Sequence, residues 1–118
     1  MRIDFKYNVR KIKWFFQKYK RGYSDRDLWN LDNWILDMLE KVINDFKIQN
    51  NHSYPATFDS MDDWTAELEY AHSLLKHLNE IKENDSGYSS YEEYYEDLNY
   101  TKDKLFDWLK EYLFNLWD

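Results

Sequence analysis

Apolar residues recur every three or four positions along most of this chain, the spacing that places them on one face of an α-helix. The first such segment predicts a helix from Val9 to Lys20, with Asn8 as its N-cap and Gly22 ending it. Its apolar positions are Val9, Ile12, Phe16 and Tyr19. Basic residues lie between them, so this helix is predicted to be amphipathic.

A second helix is predicted from Ser24 to Ile48. Ser24 is followed three positions later by Asp27, an arrangement like a capping box in which Asp replaces the usual Glu. The apolar positions of this helix are Leu28, Leu31, Ile35, Met38, Val42 and Phe46. Residues 49–58 contain the only proline and several small polar groups, which predicts a loop.

A third helix is predicted to begin after Asp59 or Ser60 and to fade around Lys82. Its apolar positions are Trp64, Leu68, Ala71, Leu75 and Leu78. Residues 84–87 predict a turn. Ser90 and Glu93 then have the spacing of a capping box that opens a fourth helix. The apolar positions of that helix run almost to the C-terminus and are Tyr94, Leu98, Leu105, Trp108, Tyr112 and Leu116.

One shorter, basic N-terminal helix and three long helices predict an all-α fold, an antiparallel helical bundle of about four helices. With 118 residues the chain is expected to form a single helical domain, 1–118. Only two glycines and one proline are present, which favours long elements. The absence of cysteine excludes disulfides, thiolate nucleophiles and Cys-based metal sites.

Charge is unevenly distributed along the chain, although the net value is −7. Residues 1–26 carry nine basic and two acidic groups, whereas the other 92 residues carry 7 basic and 21 acidic groups. A uniformly basic nucleic-acid binder is therefore excluded. The basic first helix either neutralises the acidic remainder of the chain or forms a separate binding surface, and both interpretations stay open.

The segment 21–34 concentrates arginine, aspartate and aromatic residues around a helix start. Two guanidinium groups, a serine hydroxyl and aromatic faces suit a phosphate or a nucleotide base. The candidate binding residues are Arg21, Tyr23, Ser24, Asp25, Arg26 and Trp29. The alternative is structural: the serine caps the helix, the aspartates complement its dipole and the tryptophans belong to the core.

The fourth helix carries many carboxylates beside tyrosines. Such a face resembles a phosphate backbone in charge and suits a basic groove on another protein, because tyrosine is a frequent anchor of protein contacts. The protein-interface candidates are Tyr91, Glu92, Tyr95, Glu96 and Asp103. The alternative is an ordinary solvated outer face.

The sequence lacks a recognisable catalytic or metal-binding motif. Asp59, Asp62 and Asp63 are interpreted as complementing a helix dipole, since a calcium loop needs alternating ligands and a central glycine. His72 and His77 are five positions apart and lie on different helix faces, and no HExxH motif is present. We therefore expect no metal, no cofactor and no enzymatic activity. The chain also lacks an apolar segment long enough for a signal peptide or a membrane span.

Three segments of the chain stand out as motifs: RGYSDRDLWNLDNW at 21–34, Tyr54-Pro55 leading to the DDW of 62–64, and LFNLWD at 113–118. Together they resemble a family of small uncharacterised proteins encoded by bacteriophages and prophages. The resemblance is collinear over most of residues 19–118, with Ser53 where the family commonly has glycine. It implies a phage accessory protein made in the cytoplasm of the bacterial host.

The leading hypothesis is a non-enzymatic protein that binds and inhibits a host factor, such as a component of a bacterial defence system. One alternative is an oligomeric sponge that sequesters a nucleotide immune signal, and another is a virion or assembly component. The expected partner is a host protein or defence complex. Membrane association and direct nucleic-acid binding are not expected.

Overall fold

The computed structural model describes residues 5–49, 54–83 and 87–117, and this part of the chain is helical without strands. The all-α prediction is therefore confirmed. The helices are α1 (Phe5–Arg21), α2 (Asp25–Trp29), α3 (Leu31–Gln49), α4 (Met61–Glu83) and α5 (Tyr91–Tyr112), followed by a 3₁₀ turn at Leu113–Asn115. The chain divides into two compact units, with the boundary between Ile35 and Leu36. The single domain expected for 1–118 stays a prediction.

Helix α1 begins one turn earlier than the sequence pattern predicted, so Asn8 lies inside it and the prediction of an Asn8 N-cap was wrong. The additional turn is stabilised by side chains further along the helix. The ring of Tyr7 makes an edge-to-face contact with Trp14 at 6.4 Å, and Lys11 Nζ lies 4.7 Å from the same ring. Gly22 ends the helix as predicted: its φ is +84°, a left-handed conformation that favours glycine.

The capping box at Ser24 is confirmed. Its Oγ accepts a hydrogen bond from Asp27 N at 3.3 Å, and Asp27 Oδ2 accepts one from Ser24 N at 2.8 Å. The predicted continuous helix from Ser24 to Ile48 was wrong at one point, because Asn30 leaves the helical region with φ −137° and ψ 54°. Asparagine is a weak helix former, since its side chain competes for backbone hydrogen bonds. The segment therefore forms α2 and α3 instead of one helix.

The core of residues 36–117 lies where α3, α4 and α5 meet. All five predicted apolar positions of α4 are buried, as predicted, and Ile81 continues the same line. Trp64, which is 0% exposed, stacks on Trp108 of α5 with ring centroids 6.3 Å apart. The other predicted positions of α5 are buried or half-buried, so its apolar face is also confirmed. The first half of α4 contacts the last half of α5, for example through the hydrogen bond from Trp108 to Glu67.

The predicted buried face of α3 was wrong by one residue. Of the predicted positions, Phe46 is half-buried. The other predicted positions are exposed and are Leu28, Leu31, Ile35, Met38 and Val42. The row that packs against the core contains Leu36, Leu39, Ile43 and Phe46. Two apolar rows with helical spacing run along this segment, and spacing alone does not decide which of them meets α4 and α5.

Serine residues cap the two long C-terminal helices. Ser60 Oγ accepts from Asp63 N at 3.2 Å, which selects Ser60 rather than Asp59 as the cap of α4. Ser90 Oγ accepts from Glu93 N at 3.1 Å. The reciprocal half of the predicted box was wrong, because the Glu93 carboxylate accepts from the backbone and hydroxyl of Ser89. Parts of the predicted 49–58 loop and 84–87 turn, residues 50–53 and 84–86, lie outside the described residues.

Candidate functional site

The first sequence-predicted site lies at the turn between α1 and α2, where several of its members bind one another. Arg21 Nη2 donates to Asp25 Oδ1 at 2.7 Å, and Arg21 Nε donates to the backbone oxygen of Tyr23 at 3.0 Å. The same guanidinium lies over the Tyr23 ring, 4.5 Å from its centroid. Arg21 therefore stabilises the turn through two of its five N–H donors.

Asp25 is the centre of this turn. Its Oδ2 accepts from Gln17 Nε2 at 2.9 Å, its backbone N donates to Gln17 Oε1 at 2.8 Å, and Lys13 Nζ lies 3.8 Å away. The hydrogen bonds from Gln17 and Arg21 hold the pKa of the Asp25 carboxyl below its ordinary value. Ser24 is 1% exposed and its hydroxyl is used in the cap. The structural interpretation of Ser24 and Asp25 therefore fits their contacts.

An open cleft of about 400 Å³ lies beside this turn and is called the basic cleft below. It is lined by Lys11, Trp14, Phe15, Lys18, Ser24, Arg26 and Asp27. The Arg26 guanidinium lies 5.4 Å from a Trp14 ring centroid, and Lys18 Nζ lies 4.0 Å from Asp27. Three cationic side chains, one carboxylate and an indole thus share one surface.

The structure brings together only part of the predicted binding set. Ser24 and Arg26 line the basic cleft. Trp29 makes an edge-to-face contact with Trp14 at 5.5 Å and is 68% exposed, so its assignment to the core was wrong. The sequence reasoning missed the four cleft residues on α1, Lys11, Trp14, Phe15 and Lys18. Their spacing of three, four and seven marks one helix face and was the signal available.

A more enclosed pocket of about 270 Å³ lies at the start of α5 and is called the tyrosine pocket below. It is lined by Tyr88, Ser90, Tyr91, Tyr94 and Tyr95. Neighbouring rings contact one another with centroids 5.5 Å apart for Tyr88 and Tyr94, 5.4 Å for Tyr91 and Tyr95, and 5.3 Å for Tyr94 and Tyr95. These pairs are edge-to-face or tilted, so the rings surround a common space.

Asp97 holds one side of the tyrosine pocket in place. Its carboxylate accepts from the Tyr88 hydroxyl and from Thr101 Oγ1 at 3.3 Å, and both of its oxygens lie 3.0 Å from His77 Nε2 on α4. The hydrogen bond to Asp97 raises the pKa of Tyr88 to about 12, and the same bond holds the pKa of Asp97 below its ordinary value. The sequence reasoning missed this network, because it depends on how α4 packs on α5.

The predicted interface residues all lie exposed on the outer half of α5. Glu92, Glu96 and Asp103 form a row, called the acidic row below, that faces away from the buried side of the helix. Tyr91, which is 76% exposed, and Tyr95 connect this row to the tyrosine pocket. Residues 87–101 carry four carboxylates and no lysine or arginine. Within this segment the carboxylates therefore have no lysine or arginine partner, and Asp97 contacts His77 of α4.

The histidines and carboxylates of the described residues are the side chains that could form a metal site. His72 Nε2 lies 4.0 Å from Glu40, His77 contacts Asp97, and His52 lies outside the described residues. In the segments 5–49, 54–83 and 87–117, no group of three or more acidic, histidine or cysteine side chains is arranged to hold a metal ion. Over the same segments, no helix has the length and apolar character needed to cross a bilayer.

No family model, no curated protein and no solved structure matches this chain.

Proposed function

We propose that this chain is a non-enzymatic binding protein whose α5 surface docks on a basic surface of another protein. The surface consists of the interface candidates Tyr91, Glu92, Tyr95, Glu96 and Asp103. The observation that supports the proposal is the tyrosine pocket directly beside an exposed acidic row, in a segment without lysine or arginine. Exposed tyrosines supply contact area and the carboxylates supply the charge that selects a basic partner.

The proposed energetics divide between the two kinds of residue. Exposed carboxylates steer a basic partner and speed its association, an effect that salt weakens. Tyrosines packed at the centre of an interface contribute most of the affinity, because they bury large areas with few rotatable bonds. Neutralisation of the acidic row should therefore slow the association of the proposed complex. Truncation of the tyrosines should shorten the lifetime of the complex.

The proposed biological setting follows the family resemblance of the sequence. We propose a phage-encoded protein in the cytoplasm of its bacterial host that occupies a nucleic-acid-binding groove of a host factor, such as a defence component. The proposed scaffold is an antiparallel bundle built on α3, α4 and α5, supported by the contacts of Glu67 with Trp108 and of Glu40 with Asn79. In such a scaffold, packing against the other helices holds the exposed face of α5 in a fixed arrangement.

Expression in bacteria that carry defence systems tests this function. The wild-type chain should raise phage plating on a host whose defence component it blocks. The double variant Glu92→Gln and Glu96→Gln should lose most of that effect. Glu69→Gln with Glu80→Gln on α4 changes the charge by the same amount at exposed positions and should retain it. Unchanged plating with the wild-type chain across all tested defence systems would contradict the proposed setting.

The basic cleft supports a second candidate function, the capture of a nucleotide signal. Its three cations and the Trp14 indole suit a phosphate and a stacked base. Calorimetry against a panel of cyclic and ADP-ribose-type nucleotides tests this candidate. Heat that disappears in Arg26→Gln supports it, and no heat from any nucleotide rejects it. In this second proposal the chain captures the nucleotide as an oligomer.

A further inference from the structure

We propose that the tyrosine pocket binds a single arginine guanidinium that projects from the partner's basic surface. This inference rests on the proposed function and names the group that the α5 surface selects. A quaternary ammonium group and a neutral side chain are the alternatives that the experiment below separates.

The ring geometry suits a cation. A cation within about 6 Å of an aromatic centroid is attracted by the negative ring face. Tyr91, Tyr94 and Tyr95 have centroids between 5.3 and 6.3 Å from one another, so a group in the space they surround reaches more than one ring. The volume of about 270 Å³ admits the planar end of one side chain.

In the part of the chain that the structure describes, three tyrosine rings elsewhere lie under one of the chain's own cations, whereas the rings of the tyrosine pocket do not. Lys11 lies over Tyr7, Arg21 over Tyr23 and Lys104 over Tyr100, at 4.7, 4.5 and 5.5 Å from the ring centroids. Within the described segments, no lysine or arginine lies over a ring of the tyrosine pocket. Among the described residues, the pocket therefore has no cation of its own and is open to one from a partner.

Electrostatics around the pocket favour a positive occupant. Glu92, Glu93 and Glu96 lie on the adjoining turns of α5, and residues 87–101 contain no basic side chain. Asp97, immediately behind Tyr88, keeps its pKa below the ordinary value through its hydrogen bonds. A cation in the pocket thus meets several negative charges and no positive one from this segment.

The polar groups at the pocket distinguish guanidinium from a quaternary ammonium. Tyrosine hydroxyls and the neighbouring carboxylates are hydrogen-bond acceptors, and a guanidinium carries five N–H donors in the plane of the group that stacks on a ring. A quaternary ammonium has no donor and would make no hydrogen bond to these acceptors. We therefore assign arginine rather than a quaternary ammonium as the bound side chain.

Titration with small probes tests the assignment without the partner protein. Nα-acetylarginine amide, its neutral isostere Nα-acetylcitrulline amide and tetramethylammonium chloride are added to the purified chain at constant ionic strength. The readout is the ring ¹H–¹³C shifts of labelled tyrosines. We expect saturable shifts of the pocket rings with the arginine probe, half-saturated on the order of 10 mM. Tetramethylammonium should bind at least threefold more weakly, and the citrulline probe should give no saturable shift.

Variants at exposed positions locate the binding. Tyr91→Leu with Tyr95→Leu should weaken arginine binding at least fivefold, whereas Tyr100→Leu, on the same helix outside the pocket, should leave it unchanged. Helical circular dichroism of all three chains checks that they fold alike. Equal shifts from arginine and citrulline, or tighter binding of tetramethylammonium, would overturn the assignment.

The two proposals fail separately. Effects on phage plating that require Glu92 and Glu96, together with no binding of the arginine probe, overturn the pocket assignment and leave the proposed function. Binding of the arginine probe that is lost in the tyrosine double variant supports the pocket assignment, even where plating contradicts the proposed setting.

Discussion

The hydroxyl of Tyr88 donates a hydrogen bond to the carboxylate of Asp97, which joins the segment before α5 to the second turn of that helix. His77 of α4 contacts the same carboxylate at 3.0 Å. The position of one pocket ring thus depends on the packing of α4 against α5. The tyrosine pocket is consequently held by the packing of the two helices and is not a group of independent surface side chains.

The Asp97 network predicts a pH-dependent stability difference. Asp97→Asn should lower the free energy of unfolding at pH 7 by about 1–2 kcal/mol, because a neutral amide accepts weaker hydrogen bonds than a carboxylate. The folded-state pKa of Asp97 is lowered, so this stabilisation is complete above the unfolded value near 4 and is lost as pH falls through the folded value. Urea unfolding of both chains at pH 7 and at about pH 2.5 measures the difference.

Asp103→Asn is the matched control for that experiment, since it removes the same charge from an exposed position of the same helix. Its unfolding free energy should stay within about 0.5 kcal/mol of the wild-type value at both pH values. A difference between wild type and Asp97→Asn that is equal at pH 7 and at low pH would contradict the role given to the ionised carboxylate.

The stacked tryptophans of the core differ in their hydrogen bonding. Trp108 Nε1 donates to Glu67 Oε1 at 2.9 Å, whereas the buried Nε1 of Trp64 has no acceptor among the described residues. Trp108→Phe leaves a carboxylate without its donor, and Trp64→Phe removes an unpaired donor. Both lose the same ring volume, so we expect Trp108→Phe to be the more destabilising by about 1–3 kcal/mol. Urea unfolding of the two variants checks this order, and the reverse order would contradict it.

The turn after α1 depends on the left-handed conformation of Gly22. A Cβ added there meets no atom within 4 Å, so the cost of Gly22→Ala is backbone strain alone. We expect a loss of about 1–2 kcal/mol, visible as faster amide exchange in α1. Gly22→Asn should cost less, because asparagine tolerates this conformation better than alanine does. Equal exchange in all three chains would show that the turn does not limit the stability of α1.

The sequence predicted the buried faces and caps of some helices better than those of others, for physical reasons. The buried face of α4 was predicted residue by residue, because Trp64, Leu68 and Leu75 belong to its apolar row. Helix α3 has two such rows, and only the packing of α4 and α5 selects Leu39 and Ile43 over Met38 and Val42. Ser24 was identified as a cap from local spacing. Asn8 was not a cap, because contacts made by the Tyr7 ring extend the helix.

The candidate sites also combine features that one helix determines with features that depend on how helices pack together. Tyr91 and Tyr95 were predicted because their exposure follows from position on an amphipathic helix. Trp14 and Arg26 meet only when α1 and α2 fold onto one turn, and the link from Asp97 to His77 forms only when α5 packs on α4. Spacing within one helix carries no information on such pairs.

Partner capture by the wild-type chain and two charge variants tests the proposed α5 surface most directly. Tagged wild-type chain, Glu92→Gln with Glu96→Gln, and Glu69→Gln with Glu80→Gln are incubated with bacterial lysate at about 50 mM and about 300 mM salt, and the retained proteins are quantified by mass spectrometry. We predict a basic protein that the wild type and the α4 variant retain at low salt, and that high salt or the α5 variant releases. Equal retention of the same proteins by all three chains at both salt concentrations would contradict the account.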